Sequence, residues 1–103
     1  MSNMLHIVNK SPFEKNSLDD CMRLAKSGSA ILLIEDGVYG ALANTPVAEK
    51  IGSRQGDFSF HVLGPDVAAR GLGDKTLAEG IDVIDYEGFV DLVAEHEVSQ
   101  SWL

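Results

Sequence analysis

The 103-residue sequence has one cysteine, three prolines and no long hydrophobic run. A single cysteine cannot form a disulfide within the chain, which excludes a disulfide scaffold and favours a reducing compartment. The longest aliphatic run, residues 30–34, is far shorter than the ~20 residues of a membrane-spanning helix. The N-terminus lacks the basic and apolar regions of a signal peptide. These absences predict a cytoplasmic protein with no membrane association.

Positive charge is also scarce. Lysine and arginine number 8 against 16 acidic residues, so the formal net charge is −8. No basic residue follows Lys75, but acidic ones do: Glu79, Asp82, Asp85, Glu87, Asp91, Glu95 and Glu97. Such a chain repels phosphate backbones, so we expect no direct binding of nucleic acid. The acidic segment is either a solvated helix face or a patch that docks against a basic partner.

What is present is an ordinary globular composition, with 45% hydrophobic and 23% charged residues, enough for one domain. Apolar runs predict strands at Met4–Val8, residues 30–34, residues 58–63 and Ile81–Ile84. The aliphatic second run is typical of a strand covered on both faces. Because helical segments alternate with these strands, we predict an α/β domain with a parallel sheet and helices on both faces.

The segments between the strands carry helix start and stop signals. Asn16 or Ser17 is predicted to cap a first helix, which Gly28 ends. Residues 38–43 are predicted as a short helix, and Thr45-Pro46 is typical of an N-cap followed by proline at the first helical position.

Two further helices and an extended tail are predicted towards the C-terminus. Gly64-Pro65-Asp66 starts a short helix that Gly71 stops. Residues 86–96 form a closing amphipathic helix, whose inward side chains are predicted to be Phe89, Val90, Val93 and Ala94. Residues 98–103 are predicted to be extended, and we expect Trp102 to be covered by another subunit.

Two patterns that resemble ligand sites are rejected. Residues 71–76 lack the glycine directly before lysine that a P-loop requires, and Asp74 would repel phosphate. His6, His61 and His96 are too far apart for a local metal motif, and no second cysteine supports zinc. We therefore predict no metal and no cofactor, and expect His6 and His61 to form hydrogen bonds or to lie at an interface.

Glu35-Asp36-Gly37 follows the second strand, at the end where open α/β sheets commonly bind ligands. An Asp-Gly turn explains the same residues equally well. The sequence leaves both interpretations open.

Cys21 is the candidate for nucleophilic chemistry. It lies on an apolar helical face, and buried free cysteines are common core residues. A reactive thiolate needs nearby positive charge, whereas the adjacent Asp19 and Asp20 are negative. The positive charge would have to come from Lys10 and Lys15 in the preceding loop, or from a neighbouring subunit.

Segments in order along the chain resemble the DsrH/TusB family of sulfur-relay proteins. They are residues 4–12, 33–39, 62–66, 69–72, 84–86, 88–90 and 100–102. The resemblance implies one DsrH/TusB-like domain over residues 1–103, of which residues 1–3 are extraneous or disordered. It also implies a three-layer α/β/α fold with a mostly parallel five-stranded sheet, as in DsrE/F/H-like proteins.

The resemblance further implies partners and a pathway. Members assemble with DsrE/TusD-like and DsrF/TusC-like chains, two copies of each, into a cytoplasmic heterohexamer that relays sulfane sulfur through cysteine persulfides. A DsrC/TusE-like protein accepts the sulfur. The complex serves intracellular sulfur oxidation in the Dsr branch and 2-thiolation of the tRNA wobble uridine in the Tus branch. We expect this chain to bury an interface of at least ~1,000 Å² in such a complex.

The role of Cys21 stays open at this point. Some DsrH members carry a cysteine in the first helix, which implies that Cys21 is a persulfide carrier within a sulfurtransferase complex. The main acceptor cysteine of the family belongs to the DsrE/TusD-like chain. The alternative is a non-catalytic subunit in which Cys21 only packs, and solvent access to Cys21 distinguishes the two.

Overall fold

The computed structural model describes residues 4–96 and 98–102. The elements in chain order are β1 (Met4–Val8), α1 (Ser17–Leu24), β2 (Ala30–Leu33), a 3-10 helix (Glu35–Ala41), α2 (Pro46–Ser53), β3 (Ser59–Leu63), α3 (Gly64–Ala69), β4 (Ile81–Ile84), α4 (Tyr86–Glu95) and β5 (Val98–Trp102). The prediction that residues 1–3 are extraneous or disordered lies outside the described residues.

The strands form one five-stranded sheet in the order β4-β3-β2-β1-β5, and each pairing is parallel. The predicted α/β/α class is therefore confirmed. β1 and β4 have the predicted bounds. β2 ends one residue early because the chain turns at Glu35, whose φ is 49°. β3 begins one residue late because the backbone N–H of Phe58 donates to the carbonyl of Arg54 in the preceding turn.

The two faces of the sheet are covered unequally. One face carries the larger core cluster, which includes Ile31, Phe60 and Val62 and is packed by α1, α2, α3 and the 3-10 helix. The opposite face carries a smaller cluster, centred on Leu5 and Leu32, in which α4 is the only one of the described helices to take part. β2 is buried at all of its positions, as predicted for a strand covered on both faces.

The first two helical predictions need correction. Asn16 occupies the N-cap of α1, but its side chain makes no capping hydrogen bond. α1 ends at Leu24, before Gly28, because Ala25 already has an extended backbone with ψ 146°. The short helix predicted at residues 38–43 is a 3-10 helix over Glu35–Ala41, separated from β2 by Ile34 alone.

The helix starts that depend on a capping side chain or on proline are confirmed. The Thr45 hydroxyl accepts a 3.0 Å hydrogen bond from the backbone N–H of Ala48 at the start of α2. α3 begins at Gly64-Pro65 and is followed by Gly71 with a φ of 71°, the left-handed conformation that favours glycine after a helix.

α4 has the predicted Phe89 on its inward side, but not the other three residues that were predicted to face inward. Leu92 is its buried residue, and Phe89 packs partly buried beside it. Val90 is 67% and Val93 42% exposed, and Ala94 is also exposed. The inward orientation predicted for these three residues is wrong, because apolar side chains occupy more of the helix circumference than the sheet covers.

β5 forms one edge of the sheet and brings Trp102 beside β1. The indole N–H of Trp102 donates a 3.0 Å hydrogen bond to Nδ1 of His6, and the side chain packs partly buried against the larger core cluster. The tail is thus a strand. Trp102 is partly buried by its own chain, so its burial does not depend on another subunit alone, and cover of its remaining surface by another subunit stays a prediction.

We expect the free energy of unfolding to fall as the pH is lowered from about 7 to about 5. Burial lowers the pKa of His6 from its ordinary value of 6.5, so the unfolded chain takes up this proton before the folded chain does. The His6 contribution is present above pH 6.5 and is lost as the pH falls through the lower folded value. Protonation of Nδ1 also removes the acceptor of the Trp102 hydrogen bond.

Urea unfolding at a series of pH values measures this dependence in the wild-type chain and in His6→Gln. The variant should have a flatter stability profile over the same pH range. An unchanged profile in His6→Gln would show that another group controls it.

Candidate functional site at Cys21 and the carboxyl edge of the sheet

Cys21 lies inside the protein, on the face of α1 that packs against the sheet. Its exposed fraction is 0%, and it belongs to the larger core cluster together with Leu18, Met22 and Val8. Leu18, Cys21 and Met22 follow the i, i+3, i+4 spacing that places side chains on one side of a helix. The predicted apolar face of α1 is therefore confirmed.

Burial also controls the protonation of this cysteine. Desolvation raises the pKa of the Cys21 thiol to about 12, so burial favours the neutral thiol over the thiolate at neutral pH. Lys10 and Lys15, the residues expected to supply positive charge, are both exposed on the surface. Within this chain the thiol is held in its protonated, unreactive form.

The acidic residues next to Cys21 point outward and are paired. Asp19 forms a 3.0 Å ion pair with Lys50 of α2, and Asp20 forms a 3.0 Å ion pair with Arg23 in the next turn of α1. These pairs are half-exposed and contribute little to stability. They orient the outer side of α1 while leaving its inner side apolar.

The carboxyl end of β2 leads into a small polar network. The backbone N–H of Glu35 donates a 2.7 Å hydrogen bond to Oδ2 of Asp66, and Nε of Arg70 donates a 2.9 Å hydrogen bond to Oδ1 of Asp36. The hydrogen bond that Arg70 donates to Asp36 is the main cause that raises the pKa of Arg70. The network ties the 3-10 helix to α3.

Asn9 and Gly37 complete this edge. Nδ2 of Asn9 donates a 3.4 Å hydrogen bond to Oε1 of Glu35, while Oδ1 of Asn9 is buried and has no hydrogen-bond partner among the described residues. A Cβ on Gly37 would overlap the carbonyl oxygen of Val8. Glu35-Asp36-Gly37 is thus the beginning of a helix held against β1 and α3, and not a simple Asp-Gly turn. A ligand at this segment stays a prediction.

The histidines in strands are hydrogen-bonded, as predicted. His61 lies 3.2 Å from Asp82 through Nδ1 and 3.2 Å from Ser59 through Nε2, and His6 accepts from Trp102. Across residues 4–96 and 98–102, no three His, Cys, Asp or Glu residues are grouped so that they could hold a metal ion.

None of the helices in the described part of the chain is long and apolar enough to cross a membrane.

Sequence reasoning missed the partners of the carboxyl edge. Asp66 and Arg70 lie 31 and 34 residues from Glu35 and Asp36, and no local pattern links such distant positions. The one available signal was topological, since the carboxyl ends of parallel strands share one edge of a sheet.

The fold has solved relatives. The ychN protein from E. coli superimposes with a TM-score of 0.86 over 99% of this chain and 100% of that chain, at 14% identity. A protein of unknown function from Methanobacterium thermoautotrophicum gives a TM-score of 0.67 over 95% of this chain and 96% of that chain, at 18% identity. At such low identity these likenesses establish the fold alone.

Sequence comparison establishes the family. The sequence model of the family described as DsrH like protein matches residues 10–99. Protein TusB of Pectobacterium parmentieri is 33% identical, and Protein TusB of Buchnera aphidicola subsp. Baizongia pistaciae is 37% identical. Each alignment covers 96% of this chain and 100% of the relative. With a family match over most of its length and full-length relatives above 30% identity, the chain belongs to the DsrH/TusB family.

Proposed function

We propose that this chain is a non-catalytic subunit of a cytoplasmic sulfur-relay complex, and that the complex supplies sulfur for 2-thiolation of the tRNA wobble uridine. Membership of the DsrH/TusB family supports the sulfur relay. The relatives named Protein TusB support the branch that leads to tRNA.

The burial of Cys21 is the observation that carries the non-catalytic role. A sulfur carrier must bring its sulfur within bonding distance of a donor persulfide, and it must attack as a thiolate. Cys21 has an exposed fraction of 0% and a pKa raised to about 12. The acceptor cysteine of the relay then belongs to a sister chain, and Cys21 contributes to packing.

The partners follow from the family. The proposed complex is a heterohexamer with two copies each of this chain, a DsrE/TusD-like chain and a DsrF/TusC-like chain, and it hands sulfur to a DsrC/TusE-like acceptor. A net charge of −8 gives the isolated chain little attraction for a phosphate backbone. Contact with tRNA belongs to a downstream enzyme.

A second candidate function is a carrier role for Cys21 in sulfur oxidation. The observation that favours it is the position of Cys21 in the first helix, where some DsrH members carry a cysteine. In that case assembly must open a path from the surface to α1 and lower the pKa of the thiol.

The test replaces Cys21 with alanine in the assembled complex. We expect Cys21→Ala to lower the free energy of unfolding by about 1 kcal/mol, because a buried sulfur atom is removed, and to leave assembly and sulfur transfer at wild-type levels. The complex is incubated with a persulfide donor, and intact chain masses and transfer to the DsrC/TusE-like acceptor are measured. The matched control removes the acceptor cysteine of the DsrE/TusD-like chain, which should abolish transfer.

Two results would contradict the non-catalytic role. One is a gain of one sulfur atom on this chain that disappears in Cys21→Ala. The other is a loss of transfer in a Cys21→Ala complex that is correctly assembled.

A further inference from the structure

The outer side of α4 is an apolar surface that nothing in the described chain covers. Tyr86 is 60%, Val90 67% and Val93 42% exposed. Their i, i+4, i+7 spacing aligns them in one stripe along the helix, here called the α4 outer face. A shallow cavity of about 320 Å³, lined by Phe89, Val90, Val93 and Ala94, lies on it.

This stripe is more than the scatter of apolar side chains found on any surface. Leu92 and Phe89 already anchor α4 to the sheet, so the outer face contributes nothing to the core cluster. The other exposed large apolar residues lie on other segments of the chain: Phe13, Leu24, Val83 and Val98. Single exposed apolar residues are normal, whereas a continuous apolar stripe on a surface helix marks an interaction site.

Negative charge follows the stripe along one side. Glu87, Asp91 and Glu95 are exposed and recur every four residues of α4, so they form a row beside the apolar side chains. No lysine or arginine follows Lys75 in the sequence. The described residues place no ion-pair partner on any of the three carboxylates. The row is available to a basic partner.

The negative charge beside the apolar stripe distinguishes between the possible binding partners of this surface. Anionic membranes and nucleic acids are repelled by the acidic row. A second copy packed antiparallel about a two-fold axis presents the same side of the stripe, so its acidic row would lie against the first. A different protein chain, with an apolar groove edged by lysine or arginine, satisfies both the stripe and the row.

We propose that the α4 outer face is the surface through which this chain docks a sister subunit of the relay complex, and that the sister chain meets it with an apolar groove flanked by basic residues. This inference rests on the proposed function for the existence of sister chains. Beyond the proposed function, it identifies the docking surface, assigns negative charge to this side of the contact and requires basic residues on the partner's side.

The test reconstitutes the chain with its DsrE/TusD-like and DsrF/TusC-like partners and measures dissociation constants for Val90→Asp. Val90 is exposed, so the variant should retain the wild-type thermal unfolding curve. We expect its affinity to fall by at least about 100-fold, because the contact would have to bury the introduced carboxylate in an apolar groove. Leu24→Asp is the matched control. It places the same charge on an exposed apolar position of α1, and we expect it to bind within about threefold of wild type.

A second measurement examines the acidic row. We expect wild-type affinity to decrease with increasing salt, and a variant combining Glu87→Gln, Asp91→Asn and Glu95→Gln to bind more weakly with a shallower salt dependence. Binding that is indifferent to both salt and neutralisation would overturn the basic partner. Self-association of the isolated chain that Val90→Asp abolishes would assign the face to a second copy instead.

The two proposals fail differently. If the complex assembles and Val90→Asp binds as well as wild type, the α4 outer face is not the docking surface. The proposal that this chain is a subunit of a sulfur-relay complex is then unaffected. If the wild-type chain binds neither sister chain at micromolar concentration, both proposals are wrong.

Discussion

Replacing Phe60 with alanine is expected to lower the free energy of unfolding by about 3–5 kcal/mol. The ring of Phe60 is 1% exposed and meets Phe58 edge-on, with 6.1 Å between ring centroids. It lies in β3 in register with Ile31 and Ile81, so its loss opens a cavity beneath three strands. A domain of this size is stable by only about 5–15 kcal/mol, so the variant should be close to unfolding.

Phe13 provides the matched control, because the same side chain is 56% exposed there. Phe13→Ala should change stability by less than about 0.5 kcal/mol. Urea unfolding followed by circular dichroism measures both variants. An equal decrease in the free energy of unfolding in Phe60→Ala and Phe13→Ala would contradict the packing of β3 described above.

Replacing Gly37 with alanine is expected to cost about 2–4 kcal/mol. The added Cβ would overlap the carbonyl oxygen of Val8, a backbone atom that cannot rotate away. That carbonyl also accepts a 3.0 Å hydrogen bond from the backbone N–H of Ile34. Relief of the overlap must therefore separate the 3-10 helix from β1 and weaken this hydrogen bond.

Gly52 is the control for this substitution. It lies in α2, and apart from its chain neighbours and its own helix backbone, a Cβ there would have no described atom within 4 Å. Because alanine is the better helix former, Gly52→Ala should stabilise the chain by about 0.5–1 kcal/mol. The two alanine variants should thus shift the urea midpoint in opposite directions. A stabilising Gly37→Ala would show that the 3-10 helix is not held against β1.

The candidate site was only partly accessible from sequence. The spacing of Leu18, Cys21 and Met22 placed Cys21 on the inner side of a helix, because helical periodicity is a local property. The depth of its burial was not accessible. Whether a cysteine on an apolar face is partly open or fully enclosed depends on which strands lie against the helix, and here these include β1 with Val8. The depth of burial raises the pKa of the Cys21 thiol, and the proposed non-catalytic role of Cys21 rests on that burial.

The sequence by itself determined the strands, most of the helices and the class of fold, because strand and helix periods and helix-start residues such as Thr45 and Pro46 act over a few neighbouring residues. Only the tertiary structure decided which side of α4 faces the sheet. Apolar residues extend around more than half of this helix, and the single sheet face beneath it covers only Leu92 and Phe89. The tertiary structure also paired His6 with Trp102, 96 residues apart. Such contacts depend on the order of the strands in the sheet, which places the last strand beside the first and which no local pattern encodes.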